Sequence, residues 1–143
     1  MSDGAEFAMT EWPLHITLAD VFAIDLLESD IERRLFQLLK KFSVVRTHAK
    51  NEATLGTTEV VLLEKNSELL ELHESLINLL EAEGARFNTP EFTREGFMPH
   101  CTIQKNDRLR TGDEVSIGMV SLIDMFPSKN WQRRKIISTF KLR

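Results

Sequence analysis

Two stretches of the chain alternate apolar and polar residues with the period of a half-buried strand, and each carries a histidine and a threonine on its polar side. Over residues 13–19, Leu14, Ile16 and Leu18 share one face while His15 and Thr17 share the other. Over residues 99–104, Cys101 and Ile103 share one face while His100, Thr102 and Gln104 share the other.

Between them the pattern changes period. Leu27, Ile31, Leu35, Leu38 and Phe42 recur at helical spacing and predict an amphipathic helix over 26–42, its stripe laid on a sheet. Asp25 is placed to cap it, with Glu28 reaching back as in a capping box. Residues 43–48 and 58–64 read as strands, the second β-branched at its centre, joined by a turn-rich connection over 51–57 that contains Gly56. Ser67 opens a second helix with Glu68 in its first turn; Leu69, Leu72, Leu76 and Leu80 form its buried stripe and Gly84 stops it. Residues 85–98 are loop-like, punctuated by Pro90 and Gly96, and 106–113 form a polar connection. Residues 114–124 and 131–142 are two further strands joined by a turn at 127–130. Residues 1–8 look irregular and fit a remnant of expression ahead of a second methionine, Met9.

No linker separates two compositions, so residues 1–143 read as one domain in two similar halves. Trp-Pro-Leu-His-Ile-Thr-Leu at 12–18 echoes Phe-Met-Pro-His-Cys-Thr-Ile at 97–103. Two halves built alike can pack about a pseudo-two-fold axis, which would bring the polar strand faces together.

Composition narrows the setting. No apolar run approaches the ~20 residues of a membrane helix, and no charged-then-apolar leader opens the chain. The single cysteine, Cys101, allows neither an internal disulfide nor a multi-cysteine zinc site, which fits a reducing, cytoplasmic setting. The net charge of −4 is uneven: residues 99–143 hold nine Lys/Arg against four Asp/Glu. That basic end is either a phosphate-facing surface or a solvated strand edge.

His-x-Thr on a strand sets both side chains on one face, about 7 Å apart along the backbone. Imidazole gives or takes a proton near neutrality, and threonine offers a neutral hydroxyl donor to an oxyanion. Two such strands face to face supply what in-line attack on a phosphodiester needs. One histidine activates the attacking oxygen, the other protonates the leaving oxygen, and the threonines hold the non-bridging oxygens. The layout requires no metal and no cofactor. A zinc site from His15, His100 and a carboxylate is conceivable, but nothing supplies a close-spaced third ligand. The bland alternative is two satisfied histidines on sheet surfaces.

At these residues the chain resembles the 2H phosphoesterase superfamily, which includes 2′-5′ RNA ligase-like proteins and RNA 2′,3′-cyclic phosphodiesterases. Its two His-x-Thr/Ser-x motifs are matched by His15-Ile16-Thr17-Leu18 and His100-Cys101-Thr102-Ile103. The run Val60-Val61-Leu62-Leu63 into Ser67-Glu68-Leu69 and Leu72-His73 resembles the family's middle segment. Phe97 resembles the family's approach to the second motif, and Trp131 before a final strand ending in Phe140-Lys141-Leu142 also matches the family. The resemblance implies a bilobal α+β fold with both histidines in a cleft between lobes, and His15, Thr17, His100 and Thr102 as the catalytic quartet. It implies hydrolysis of 2′,3′-cyclic phosphates or cleavage of 2′-5′ linkages, with ligase-like reversal. Its partners would be RNA 3′ ends, oligonucleotides or small cyclic nucleotides, acted on by a monomer. Many members carry a strand and a helix before the first motif; here at most fourteen residues precede His15, which leaves the substrate class open.

Other residues carry a functional and a bland reading side by side. Lys105, Arg108 and Arg110 follow the second motif and either grip a nucleotide phosphate or form a soluble connection. Arg46, with His48, stands on a strand face that could reach the cleft. Phe22, Phe92, Phe97 and Trp131 could stack a base, although burial is the commoner fate of such rings. His73 reads as packing or surface, and Cys101 as core. The alternative function is a nucleotide- or RNA-end-binding module without turnover; a weaker one is a protein-interaction domain using the acidic helix over 67–83.

Overall fold

A computed structural model describes residues 2–143. In chain order its strands and α-helices are β1 (Glu6–Ala8), β2 (Phe22–Ala23), α1 (Glu28–Leu39), β3 (Val45–Leu55), β4 (Thr58–Leu63), α2 (Ser67–Ala82), β5 (Arg86–Phe87), β6 (His100–Thr102), β7 (Glu114–Ile117), β8 (Met119–Asp124) and β9 (Arg133–Lys141). The class is α+β with antiparallel pairing. Among the described residues, no helix is long and apolar enough to cross a membrane. The chain forms two compact units, one from the segment ending at Pro13 with Asp25–Val44 and Ile117–Arg143, the other from Leu14–Ile24 and Val45–Ser116.

The first unit is the sheet β1-β9-β8 with α1. Residues 6–8 are not irregular: they pair with Arg133–Lys135, and Phe7 is buried beside the ring of Trp12. Apolar contact from one phenylalanine is enough to order a three-residue edge strand that alternation alone cannot reveal. Helix α1 buries Ile31 and Leu35 as its spacing predicts, but Leu39 rather than Leu38 completes the buried stripe, Leu27 is exposed, and the helix is shorter than 26–42. Leu27 stands at its N-cap with no side-chain cap, so the cap position falls two residues past the expected Asp25. At the other end Lys41 and Phe42 donate to carbonyls three residues back, at 3.2 and 3.0 Å, which tightens the last turn out of α geometry.

The second unit is built on the sheet β6-β4-β3-β7. Strand β3 runs through most of the expected connection, as far as Leu55. The turn needs only Gly56 and Thr57, because Gly56 adopts φ +62°, the left-handed conformation of a two-residue hairpin. The expected strand 114–124 also breaks, at Gly118, into β7 and β8, which join different sheets. Helix α2 packs on β3 and buries Leu69, Leu72, Leu76, Ile77 and Leu80. Each such side chain contributes about 1.5–3 kcal/mol of transfer free energy. Its cap is Asn66 rather than Ser67: the Asn66 side-chain oxygen accepts from the Leu69 N–H at 2.9 Å, and its amide donates to the Arg46 carbonyl at 2.6 Å. Gly84, at φ +89°, donates to the Glu81 carbonyl at 3.0 Å and ends the helix.

Candidate active site

Both His-x-Thr motifs lie in the second unit, on neighbouring segments. The first forms no full strand; residues 13–19 make a single antiparallel bridge, Ile16 opposite Cys101. That bridge fixes the rest by register. His15 falls opposite Thr102, and Thr17 opposite His100, with facing Cα atoms about 5 Å apart. Side chains alternate across a strand, so all four polar groups share one face. Ile16 and Cys101 point the other way, toward a core built on Ala49, Val61 and Leu63 with Ile103, Leu109 and Val115.

An antiparallel pair carries a local two-fold axis normal to the sheet. About the Ile16–Cys101 bridge this axis relates His15 to His100 and Thr17 to Thr102. By that register each imidazole has the other motif's threonine beside it and the other imidazole on the diagonal, a spacing of roughly 7–8 Å between residues and somewhat less at Cβ. The two echoing segments meet by direct pairing within the second unit. On the far side of β6, Leu62 lies opposite His100 and Val60 opposite Thr102, which gives the quartet an apolar neighbour strand.

One hydrogen bond orients the His100 ring. Its Nδ1 lies 2.7 Å from the Met98 carbonyl oxygen, which can only accept. Nδ1 is therefore the donor in this bond, and Nε2 is the nitrogen not tied to Met98. His100 and His15 are both half-buried, within reach of solvent.

Sequence reasoning misses one residue that touches the first motif and the approach to the second. His73 is fully buried on α2. Its Nδ1 donates to the Leu18 carbonyl at 2.6 Å, its Nε2 accepts from the Arg94 N–H at 2.9 Å, and its ring stacks on Phe97 at 3.8 Å. Packing, one of its two expected roles, is correct, but the ring also holds backbone on both sides. Burial pushes its pKa below 6.5; the Leu18 carbonyl and Glu74 raise it, Arg94 and Lys65 lower it, and burial wins. Unfolded chains thus bind a proton that the folded one refuses. The stability this neutral ring contributes is complete above about pH 6.5 and is lost as pH falls toward the depressed folded value. Calorimetric melts between pH 5 and 8 should show a fall in Tm below pH 6.5 that is shallower in His73→Asn; identical slopes in both proteins would refute it. Burial likewise pushes the Cys101 thiol up, as befits a core residue.

The remaining candidates are scattered. Arg46 and His48 alternate with buried Val45, Thr47 and Ala49 and stand exposed on the quartet's face of the sheet, with β4 between. Lys105 and Arg110 are exposed on the connection after β6. Arg108 is committed elsewhere: it pairs with Glu52 at 2.7 Å and donates to the Leu109 carbonyl. Phe97 is only 4% exposed and gives one face to His73, so burial rather than base stacking is its fate. Trp131 is 62% exposed and belongs to the first unit. Among the described residues, no three His, Cys, Asp or Glu side chains gather as metal ligands would.

No curated protein matches the sequence. Two solved structures share the fold. A protein of Thermus thermophilus, TT0787, is 18% identical with a TM-score of 0.58, over 91% of this chain and 78% of its own. A second, described as a phosphoesterase, is 15% identical with a TM-score of 0.58, over 90% of this chain and 76% of its own. The model of the 2′-5′ RNA ligase superfamily matches residues 5–117, a span that holds both motifs, His73 and the whole β6-β4-β3-β7 sheet. The chain belongs to the 2′-5′ RNA ligase superfamily.

Proposed function

We propose that this protein hydrolyses a 2′,3′-cyclic phosphate, or cleaves a 2′-5′ phosphodiester, on RNA or a small nucleotide, with no metal ion in the reaction. Superfamily membership points to phosphoesterase- or ligase-type activity. The observation that supports the finer reading is the Ile16–Cys101 bridge, which sets the two His-x-Thr segments side by side. In the cyclic-phosphate reaction, the neutral imidazole takes a proton from water as its oxygen bonds to phosphorus. The P–O bond on the opposite side breaks, and the imidazolium gives its proton to that ribose oxygen. Thr17 and Thr102 donate to the non-bridging oxygens, where charge accumulates. For His100 the working atom is Nε2 in either role. Which histidine is base and which is acid follows from which ribose oxygen leaves.

The test is product analysis. The protein is incubated in EDTA with 2′,3′-cyclic nucleotides, cyclic-phosphate-ended oligonucleotides and 2′-5′-linked dinucleotides. Ring-opened monophosphates or cleaved dinucleotides support the proposal. Binding with unchanged substrate would replace it with an RNA-end-binding module, and turnover that EDTA abolishes would remove the metal-free mechanism.

A further inference from the structure

We infer that His73 is the positioning residue of the quartet, one buried ring that clamps the first motif and the approach to the second into a single register. The inference rests on reading the quartet as the proton-transfer site. The first motif needs an external hold, because a single bridge joins it to β6 where a full ladder would give several hydrogen bonds. His73 supplies one at Leu18, the residue directly after Thr17. On the other side it holds the Arg94 N–H and lies flat on Phe97, with 1° between the rings. Phe97 is joined directly to Met98, whose carbonyl aims His100. From one imidazole, therefore, Thr17 and the His100 tether are each a single residue away.

The ring's chemistry suits the task. Leu18 offers a carbonyl, so Nδ1 must donate; Arg94 offers an N–H, so Nε2 must accept. A neutral imidazole in one tautomer satisfies both at once. A leucine or phenylalanine would fill the space but leave two buried backbone groups without partners. Other contacts fasten the same two segments further along, including the Asn88 N–H to the Val21 carbonyl at 2.8 Å and the Asp20 carboxylate to the Thr89 N–H. Those ties keep the unit together when His73 is changed, so the loss falls on aim more than on folding.

The experiment compares His73→Phe and His73→Asn with wild type on a 2′,3′-cyclic nucleotide, well below each melting temperature. Phenylalanine keeps the stack and loses both hydrogen bonds; asparagine keeps a donor near Leu18. The expected result is kcat down on the order of 10²-fold for His73→Phe, with KM within about threefold, and at least a tenfold recovery in His73→Asn. If His73→Phe does not fold, His73→Asn decides, with kcat down roughly tenfold at unchanged KM as the supporting result. Wild-type kcat in either folded variant overturns the inference. So does a loss that merely tracks the unfolded fraction.

Should wild type turn over no substrate, the two-histidine reaction fails and the clamp is judged separately by imidazole NMR. A shift of the hydrogen-bonded His100 Nδ1 proton resonance in His73→Phe then supports it. An unmoved resonance overturns it.

Discussion

Replacing His15 or His100 with alanine is expected to lower kcat on a 2′,3′-cyclic nucleotide by on the order of 10³-fold each, with little change in Tm. Transfer of a proton by a positioned imidazole contributes roughly 10²- to 10⁴-fold. In-line displacement needs one transfer at the attacking oxygen and one at the leaving oxygen, so either loss stalls the same step. The double variant should be only slightly worse than the poorer single one, because groups that act as a unit are not additive. Stability is spared because both rings are half-buried on the polar face, opposite the packed residues Ile16 and Cys101. Steady-state kinetics with circular dichroism melts check this. A folded single variant that retains more than a tenth of wild-type kcat contradicts the two-histidine account.

The second large effect is expected at a glycine that touches no substrate. A Cβ on Gly96 would sit 1.8 Å from the Glu91 carbonyl oxygen and 2.9 Å from its carbon, both backbone atoms. No rotamer relieves that clash, so Gly96→Ala must open the loop. The loop is two short turns, Pro90–Phe92 and Arg94–Gly96, closed by three-residue hydrogen bonds such as Gly96 N–H to Thr93 at 3.1 Å. Forcing them apart should cost about 3 kcal/mol. It also pulls Arg94 from His73 and shifts Phe97 and Met98, so kcat should fall by more than tenfold in protein that is still folded. Gly84→Ala is the matched control: its φ of +89° makes alanine costly, yet nothing lies within 4 Å of the new Cβ. It should lose about 1 kcal/mol and no activity. Equal kcat losses in the two variants, measured below both melting temperatures, would detach the loop from the site.

The quartet is legible because its signal is local and doubled. Alternation around His15 and His100 names the face, and a repeated motif makes accident a poor explanation. What alternation does not carry is partnership. It shows that Ile16 and Cys101 point inward, but not that they face each other. Helix α2 is readable from its leucines, whereas its cap reads one residue late because Asn66 and Ser67 are both good caps. The strand beyond Asn51 reads as loop because its side chains are mostly exposed; pairing with β4 makes it a strand, and pairing is non-local. His73 leaves one trace, a histidine inside the stripe of Leu69, Leu72, Leu76 and Ile77. Its partners are backbone groups 55 and 21 residues away, and backbone has no letter in the sequence.

The account rests on one phosphorus being served by both imidazoles. The most direct measurement is a titration of imidazole ¹⁵N and ¹³C resonances with a nucleoside 2′- or 3′-monophosphate, the ring-opened product. The account predicts that the Nε2 signals of His15 and His100 move together along one binding curve, while the His100 Nδ1 signal, held by Met98, stays in place. Movement of one histidine alone, or two curves with different Kd values, would contradict it.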